Sequence, residues 1–246
     1  PTTAGTGSET GRASVFTNEL TKEKKIIFHP KMLPSKVILD PYLTVPLPPS
    51  LTAFTGMDAL AHCLEAYSSE IFHPLSQGIA LEGMKIIKDN LVKVFNNGND
   101  IEARANMLVT SCMGSIAFQK GLGAIHSLSH PVGAIYNTHH GLTNAVFMPY
   151  VLKRNEKAIK NKITDLSKYL NLPNPSFQSF LDWVIDLRKL LKIPHTLKDL
   201  IHDDSKLEIM SEMALNDPST ASNPIKLEKN DFLNLYKNSF NGLLWW

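Results

Sequence analysis

The periodicity of apolar residues beyond Leu51 does most to limit what this chain can fold into. Ile79, Met84, Ile87, Leu91 and Val94 recur on a helical period, while Glu82, Lys85 and Asp89 recur on a polar stripe. A further helix begins near Asp100 and carries Ala103, Met107, Leu108, Cys112, Ile116 and Phe118, and others are expected over 145–158, 180–191, 207–215 and 232–240. Asn97-Gly98-Asn99, Pro173-Asn174-Pro175 and Asp217-Pro218 punctuate them. Residues 1–46 have another texture. A Gly/Thr-rich opening over 1–11 precedes short β-branched runs at 13–17, 26–28 and 37–39, which suit strands and a hairpin. Pro46, Pro48 and Pro49 then mark a boundary, because the proline ring fixes φ and restricts the residue before it. Three short strands cannot bury both faces of a sheet alone. The expected fold is therefore mainly α: an all-helical domain over 47–246, preceded over 1–46 by a β-containing remnant that either the helical domain covers or an α/β domain, its earlier part absent here, would complete.

Composition narrows the function classes. Lys+Arg 25 against Asp+Glu 23 gives a net charge of +2, so nothing makes a polyanion the default partner, and no nucleic acid is expected. The basic run Lys153, Arg154, Lys157, Lys160 and Lys162 lacks interleaved aromatics and reads as a solvated helix face. No apolar run reaches the roughly 18 residues of a membrane span, and no signal peptide opens the chain. Two cysteines, Cys63 and Cys112, make no disulfide framework and read as buried thiols. A cytoplasmic protein is expected. The chain starts at Pro1, without Met, inside a loop that looks functional.

Histidine placement carries the chemistry. Asp58 and His62 stand four residues apart in Gly56-Met57-Asp58-Ala59-Leu60-Ala61-His62, and so share one helix face. His126 and His130 repeat that spacing, and His139-His140-Gly141 forms a third cluster. One carboxylate with three imidazoles is a borderline-hard donor set, suited to Fe(II), Zn or another divalent transition metal better than to Mg or Ca. Several polar groups in otherwise apolar segments would be costly to bury without a joint purpose. Glu65, about one turn after His62, reads as a hydrogen-bond acceptor for a ligand. The opening Gly5-Thr6-Gly7-Ser8-Glu9-Thr10 has Thr10 where a dinucleotide fingerprint needs its third glycine, and no Lys-Ser/Thr pair follows to make a P-loop.

Three blocks in this order resemble the signatures of the iron-containing (group III) alcohol dehydrogenases. They are Pro1-Thr2-Thr3-Ala4-Gly5-Thr6-Gly7-Ser8-Glu9, then Gly56 through His62-Cys63-Leu64-Glu65-Ala66-Tyr67, then Gly121-Leu122-Gly123-Ala124-Ile125-His126 through His130-Pro131 to His140-Gly141. Ala221-Ser222-Asn223-Pro224 resembles a later Gly-Gly-Asn-Pro turn. The resemblance implies a helical metal domain of the dehydroquinate synthase-like type, with the active site in a cleft against an N-terminal dinucleotide-binding domain. It puts the metal ligands on Asp58, His62, His126 and His140, and a proton-relaying or nicotinamide-contacting histidine on His130. Thr2, Thr3, Thr6 and Lys24 match cofactor-facing positions, and Phe118 matches an aromatic wall of the substrate pocket. The implied cofactors are a divalent metal, Fe2+ first with Zn2+ or Ni2+ as alternatives, and NAD or NADP.

In the implied reaction a small alcohol is oxidised to an aldehyde or ketone, or the reverse, with the metal as Lewis acid. The family's Gly-Gly-Gly-Ser-type pyrophosphate loop would precede Pro1, so the match is to about the C-terminal two-thirds of such an enzyme. Family members are often dimers or larger, which extends the expectation to a homodimer. Two alternatives are a non-catalytic helical metal-binding or assembly module, and a metal-dependent hydrolase. The hydrolase usually wants an adjacent His-Asp pair, and His202-Asp203 is remote in sequence.

Overall fold

The computed structural model describes residues 1–20 and 24–244. Among them run α1 (Pro49–Ser68), α2 (Pro74–Asn96), α3 (Ile101–Ala117), α4 (Ala124–Tyr136), α5 (His140–Tyr169), α6 (Phe177–Leu190), α7 (Leu207–Leu215) and α8 (Lys229–Asn241). Proline at the first helical position starts α1 without wasting a backbone donor. Asp100 caps α3 by accepting from Ala103 N, and His73 caps α2 by accepting from Ser76 N.

Helix α1 forms the axis of the domain. It is buried almost all round, as an apolar helix without a polar face must be, and it packs against α2, α3 and α5. Ala53, Ala59, Ala61 and Ala66 are fully buried there, and such small side chains let the neighbouring helices approach closely. The stripe Met84, Ile87, Leu91 and Val94 turns α2 inward onto it. Helices α6, α7 and α8 close the other side of α4 and α5, so one continuous core spans the helical part.

Arg104 fastens the start of this bundle. Buried in α3, it donates from Nε to Gly98 O (3.0 Å), from Nη1 to Thr52 Oγ1 (2.9 Å), and from Nη2 to Leu47 O (3.2 Å) and Val45 O (3.4 Å). One planar fork thereby joins α3, the first turn of α1 and the proline-rich segment that leads into it.

The expected helices are present, and α5 is longer than the 145–158 expected. Ile159, Ile163 and Leu166 continue its buried stripe, and His140-Gly141 forms its first turn. Strands β1 (Ala13–Thr17) and β2 (Lys24–Phe28) pair antiparallel, in register from Ala13↔Phe28 to Thr17↔Lys24. The third expected strand, 37–39, is not formed: the sheet among the described residues has two strands, and Ile38 is 80% exposed. An extended segment becomes a strand only when a neighbour takes its backbone hydrogen bonds. The sequence ends on two unusual apolar residues, Trp245 and Trp246, which lie outside the described residues.

The basic run lies on α5 as a solvated, locally neutralised face. Lys153 pairs with Glu156, Arg154 with Asp231, and Lys162 with Glu70. No helix among the described residues is long and apolar enough to cross a membrane. Both cysteines are free and buried.

Candidate metal centre

Three helices deliver their polar residues to one point. Helix α1 contributes Asp58 and His62, α4 contributes His126 and His130, and α5 contributes His140 as its first residue. Ligand atoms of Asp58, His126 and His140 all lie within 4.8 Å of one another. Asp58 Oδ1 is 3.5 Å from His140 Nε2 and 3.8 Å from both His126 Nε2 and His62 Nε2. His62 borders this trio: its ring stacks on His126 at 4.7 Å between centroids, and its buried Nδ1 has no hydrogen-bond partner among the described residues. Phe118, in the turn that follows α3, packs its ring 5.1 Å from His62. Only the His140 side chain, 32% exposed, opens this group towards solvent.

The positions of these rings are set from outside the motifs. Gly141 lets α5 begin directly against α1, since a Cβ there would overlap the Phe54 carbonyl and press within 3.1 Å of Asp58 Cβ. Helix α4 has no side-chain cap of its own at Gly123. Its first free donors go instead to remote groups: Ala124 N to Asn223 Oδ1 (3.2 Å) and Ile125 N to Glu65 Oε1 (2.6 Å). The other Glu65 oxygen lies 2.6 Å from His126 Nδ1, which turns Nε2 of that ring towards Asp58. Asn144, one turn into α5, donates to Asp58 Oδ1 (2.8 Å) and lies 3.1 Å from His140 Nε2 and 3.3 Å from His126 Nε2. Its own Oδ1 is buried without a partner among the described residues.

Charge is distributed as a cation site requires. Burial disfavours an ionised Asp58, but His62, His140, His126 and the Asn144 amide outweigh it and bring the carboxyl down to about 2. Burial drives His126 and His140 well below the usual imidazole range, so both favour the neutral form with a lone pair to give. Burial also lifts the Glu65 carboxyl to about 8, against its backbone hydrogen bonds from Ile125 and Gly123. A buried carboxylate facing neutral imidazoles, with an unpartnered His62 nitrogen alongside, fits a divalent transition metal.

Among the remaining expected residues, Thr2, Thr3 and Thr6 are exposed on the opening loop. That loop is pressed onto α1 and α3. A Cβ on Gly5 would sit 2.8 Å from Thr55 Cβ, and Gly7, at φ 63°, leaves no room between its Cα and the Ser111 carbonyl. Lys24 opens β2, and its side chain lies outside the described residues. His139 turns away from the trio and packs against Phe54 at 5.1 Å. His130 stacks on His140 at 5.3 Å with 12° between planes, and its Nδ1 is 2.7 Å from Asp217 Oδ2. Sequence reasoning missed Asn144 and Asp217. The Asn four residues after His140 was a readable signal for the first, and nothing local pointed to the second.

A buried Asp/His cluster framed by three packed helices defines a helical domain with a candidate metal centre. The model of the Fe-containing alcohol dehydrogenase family, C-terminal, matches residues 52–240, and that of iron-containing alcohol dehydrogenase matches residues 1–41. The chain belongs to the Fe-containing alcohol dehydrogenase family. It is 33% identical, over 98% of its length, to NADPH-dependent butanol dehydrogenase of Clostridium saccharobutylicum. It is 36% identical, over 97% of its length, to NAD-dependent methanol dehydrogenase of Bacillus methanolicus. A solved 1,3-propanediol oxidoreductase superposes with a TM-score of 0.93 at 34% identity over 97% of this chain. The chain spans 64% of the length of each of these three relatives.

Proposed function

We propose that this chain is the metal-binding part of an NAD(P)-linked dehydrogenase that interconverts a small alcohol and its aldehyde or ketone. The convergence of Asp58, His126 and His140, with His62 alongside, is the observation that carries this reading. Asp58, His62, His126 and His140 would hold the metal, Fe2+ first with Zn2+ or Ni2+ as alternatives. Bound there, the cation supplies Lewis acidity to an alcohol oxygen and lowers its pKa. Relatives described as NADPH-dependent and as NAD-dependent support a nicotinamide cofactor of either kind. Thr2, Thr3, Thr6 and Lys24 are the residues assigned to it, with residues 1–46 as the chain's share of a dinucleotide-binding domain and 47–246 as the catalytic helical domain.

The chain's own groups divide the remaining work. Glu65 holds the His126 ring with Nε2 towards Asp58, and Asn144 steadies Asp58 by donating to Oδ1. Phe118 shields His62 from water and forms an apolar wall suited to a small substrate. His130 presents an imidazole nitrogen beside the cluster and takes the proton that leaves the alcohol.

Elemental analysis and anaerobic titration with Fe2+ and Zn2+ test the site directly. About one ion should bind per chain, weakened about 100-fold in His126→Ala. A chain that takes up neither ion overturns the ligand assignment. Turnover of short alcohols with NAD and NADP is the second arm, and metal uptake without turnover returns the chain to the non-catalytic metal-binding reading. Glu65→Gln should weaken ion binding by about 10- to 100-fold while the helical circular dichroism is retained, because its role is to aim His126.

A further inference from the structure

The two histidines on the inner face of α4 are each held at Nδ1 by a carboxylate from another element: His126 by Glu65 and His130 by Asp217. Asp217, unlike Glu65, belongs to none of the three sequence blocks. We propose that Asp217 is a positioning residue for His130, fixing its imidazole with the proton on Nδ1 and leaving Nε2 as a bare acceptor next to the metal-binding cluster.

The Asp217 carboxylate is itself immobilised. Its Oδ1 accepts from Ser219 N (2.8 Å) and so caps the 3-10 turn Pro218–Ser222, while Oδ2 faces His130 Nδ1 at 2.7 Å. The turn is tied down by Thr220 Oγ1, which lies 2.7 Å from both Ser127 Oγ on α4 and the Ala214 carbonyl. The His130 ring is fixed as firmly, stacked on His140 and set edge-on to His126 at 5.9 Å. Side-chain exposures of 12% for His130 and 9% for Asp217 place the contact largely out of water. Among the described residues Asp217 pairs with no lysine or arginine.

Burial opposes ionisation of Asp217, but the His130 hydrogen bond and charge and the Ser219 donor outweigh it and lower its pKa. An ionised carboxylate can only accept, so the ring must donate from Nδ1. His130 Nε2 has no hydrogen-bond partner among the described residues. The consequence for proton transfer rests on the dehydrogenase reading: only an Nε2 that carries a lone pair can receive the alcohol proton. The tautomer itself is independent of that reading.

Asp217→Asn separates this role from a structural one. The amide oxygen keeps the Ser219 N–H, so the turn stays capped, and the amide NH2 then faces His130 Nδ1 as a donor. The ring proton must move to Nε2. Long-range 1H–15N spectra of the metal-free chain, recorded at alkaline pH where the ring is neutral and assigned with His130→Gln, read the tautomer without any turnover. The expected result is the Nδ1–H form in the wild type and the Nε2–H form in Asp217→Asn, with Tm changed by only a few degrees. Nε2–H in the wild type, or the same tautomer in both proteins, overturns the proposal. Should Asp217→Asn fail to fold, Asp217→Ser retains a capping oxygen, and a mixture of both tautomers is expected. Nδ1–H alone in that variant also overturns the proposal. Failure of the metal titration would sink the dehydrogenase reading and leave this tautomer result standing.

Discussion

Arg104→Ala is expected to cost about 4 kcal/mol of stability, because the loss combines several penalties of about 1–3 kcal/mol each. The guanidinium is buried and holds Gly98 O, Thr52 Oγ1, Leu47 O and Val45 O at once. Truncation strands these acceptors away from water and leaves a cavity where α3 meets the entry to α1. Midpoints of urea unfolding should fall with an unchanged slope, and Tm should drop by roughly 8–16 °C for a chain of this size. Arg104→Lys should recover less than half of the loss, since a single ammonium cannot reach acceptors spread across a planar fork. A Tm within about 2 °C of wild type for Arg104→Ala would show that the fork is dispensable.

Gly141→Ala is the second large effect, and it should strike stability and ion binding together. The added methyl would overlap the Phe54 carbonyl, which is helix backbone and cannot swing aside, and it would crowd Asp58. Relief requires the start of α5 to move away from α1, and His140 moves with it. A cost of about 3 kcal/mol is expected from overpacking of this kind. The neighbouring His140 Nε2 to Asp58 Oδ1 separation, 3.5 Å in the wild type, should lengthen. Thermal unfolding and Zn2+ titration of the same preparation check both parts. A destabilised protein that still binds the ion with wild-type affinity would mean that Gly141 serves packing alone.

The helical architecture was legible because its signals are local. The stripe from Ile79 to Val94 and the Asp100 cap report on their own helices, and each helix needs no distant partner to show its period. The strand expected over 37–39 failed for the opposite reason, since its residue types are suitable but a strand is defined by its neighbour. The cluster was half local as well. Spacings of four placed Asp58 with His62 and His126 with His130, while the family resemblance supplied the selection of His140 over His139. Its place one turn after His62 offered Glu65 as an acceptor for a ligand, but no spacing could show which ring it holds, or that Asn144 and Asp217 join it. Glu65 meets Ile125 N across 60 residues, Asn144 meets Asp58 across 86, and Asp217 meets His130 across 87. Such pairs depend on how the helices stack, which leaves no periodic trace in the sequence.

The borrowed cap on α4 has a consequence for the order in which the molecule can assemble. A helix whose first donors are answered only by Glu65 of α1 and by Asn223, 99 residues downstream of Ala124, gains little from forming early. Loop closure must come before the contact that rewards it. The histidine-bearing turn should therefore be among the last parts to acquire hydrogen-exchange protection during refolding, after α1, α2 and α3 have closed on one another. A nascent chain that has not yet reached Asn223 would hold Asp58, His62, His126 and His140 without the geometry that brings them together.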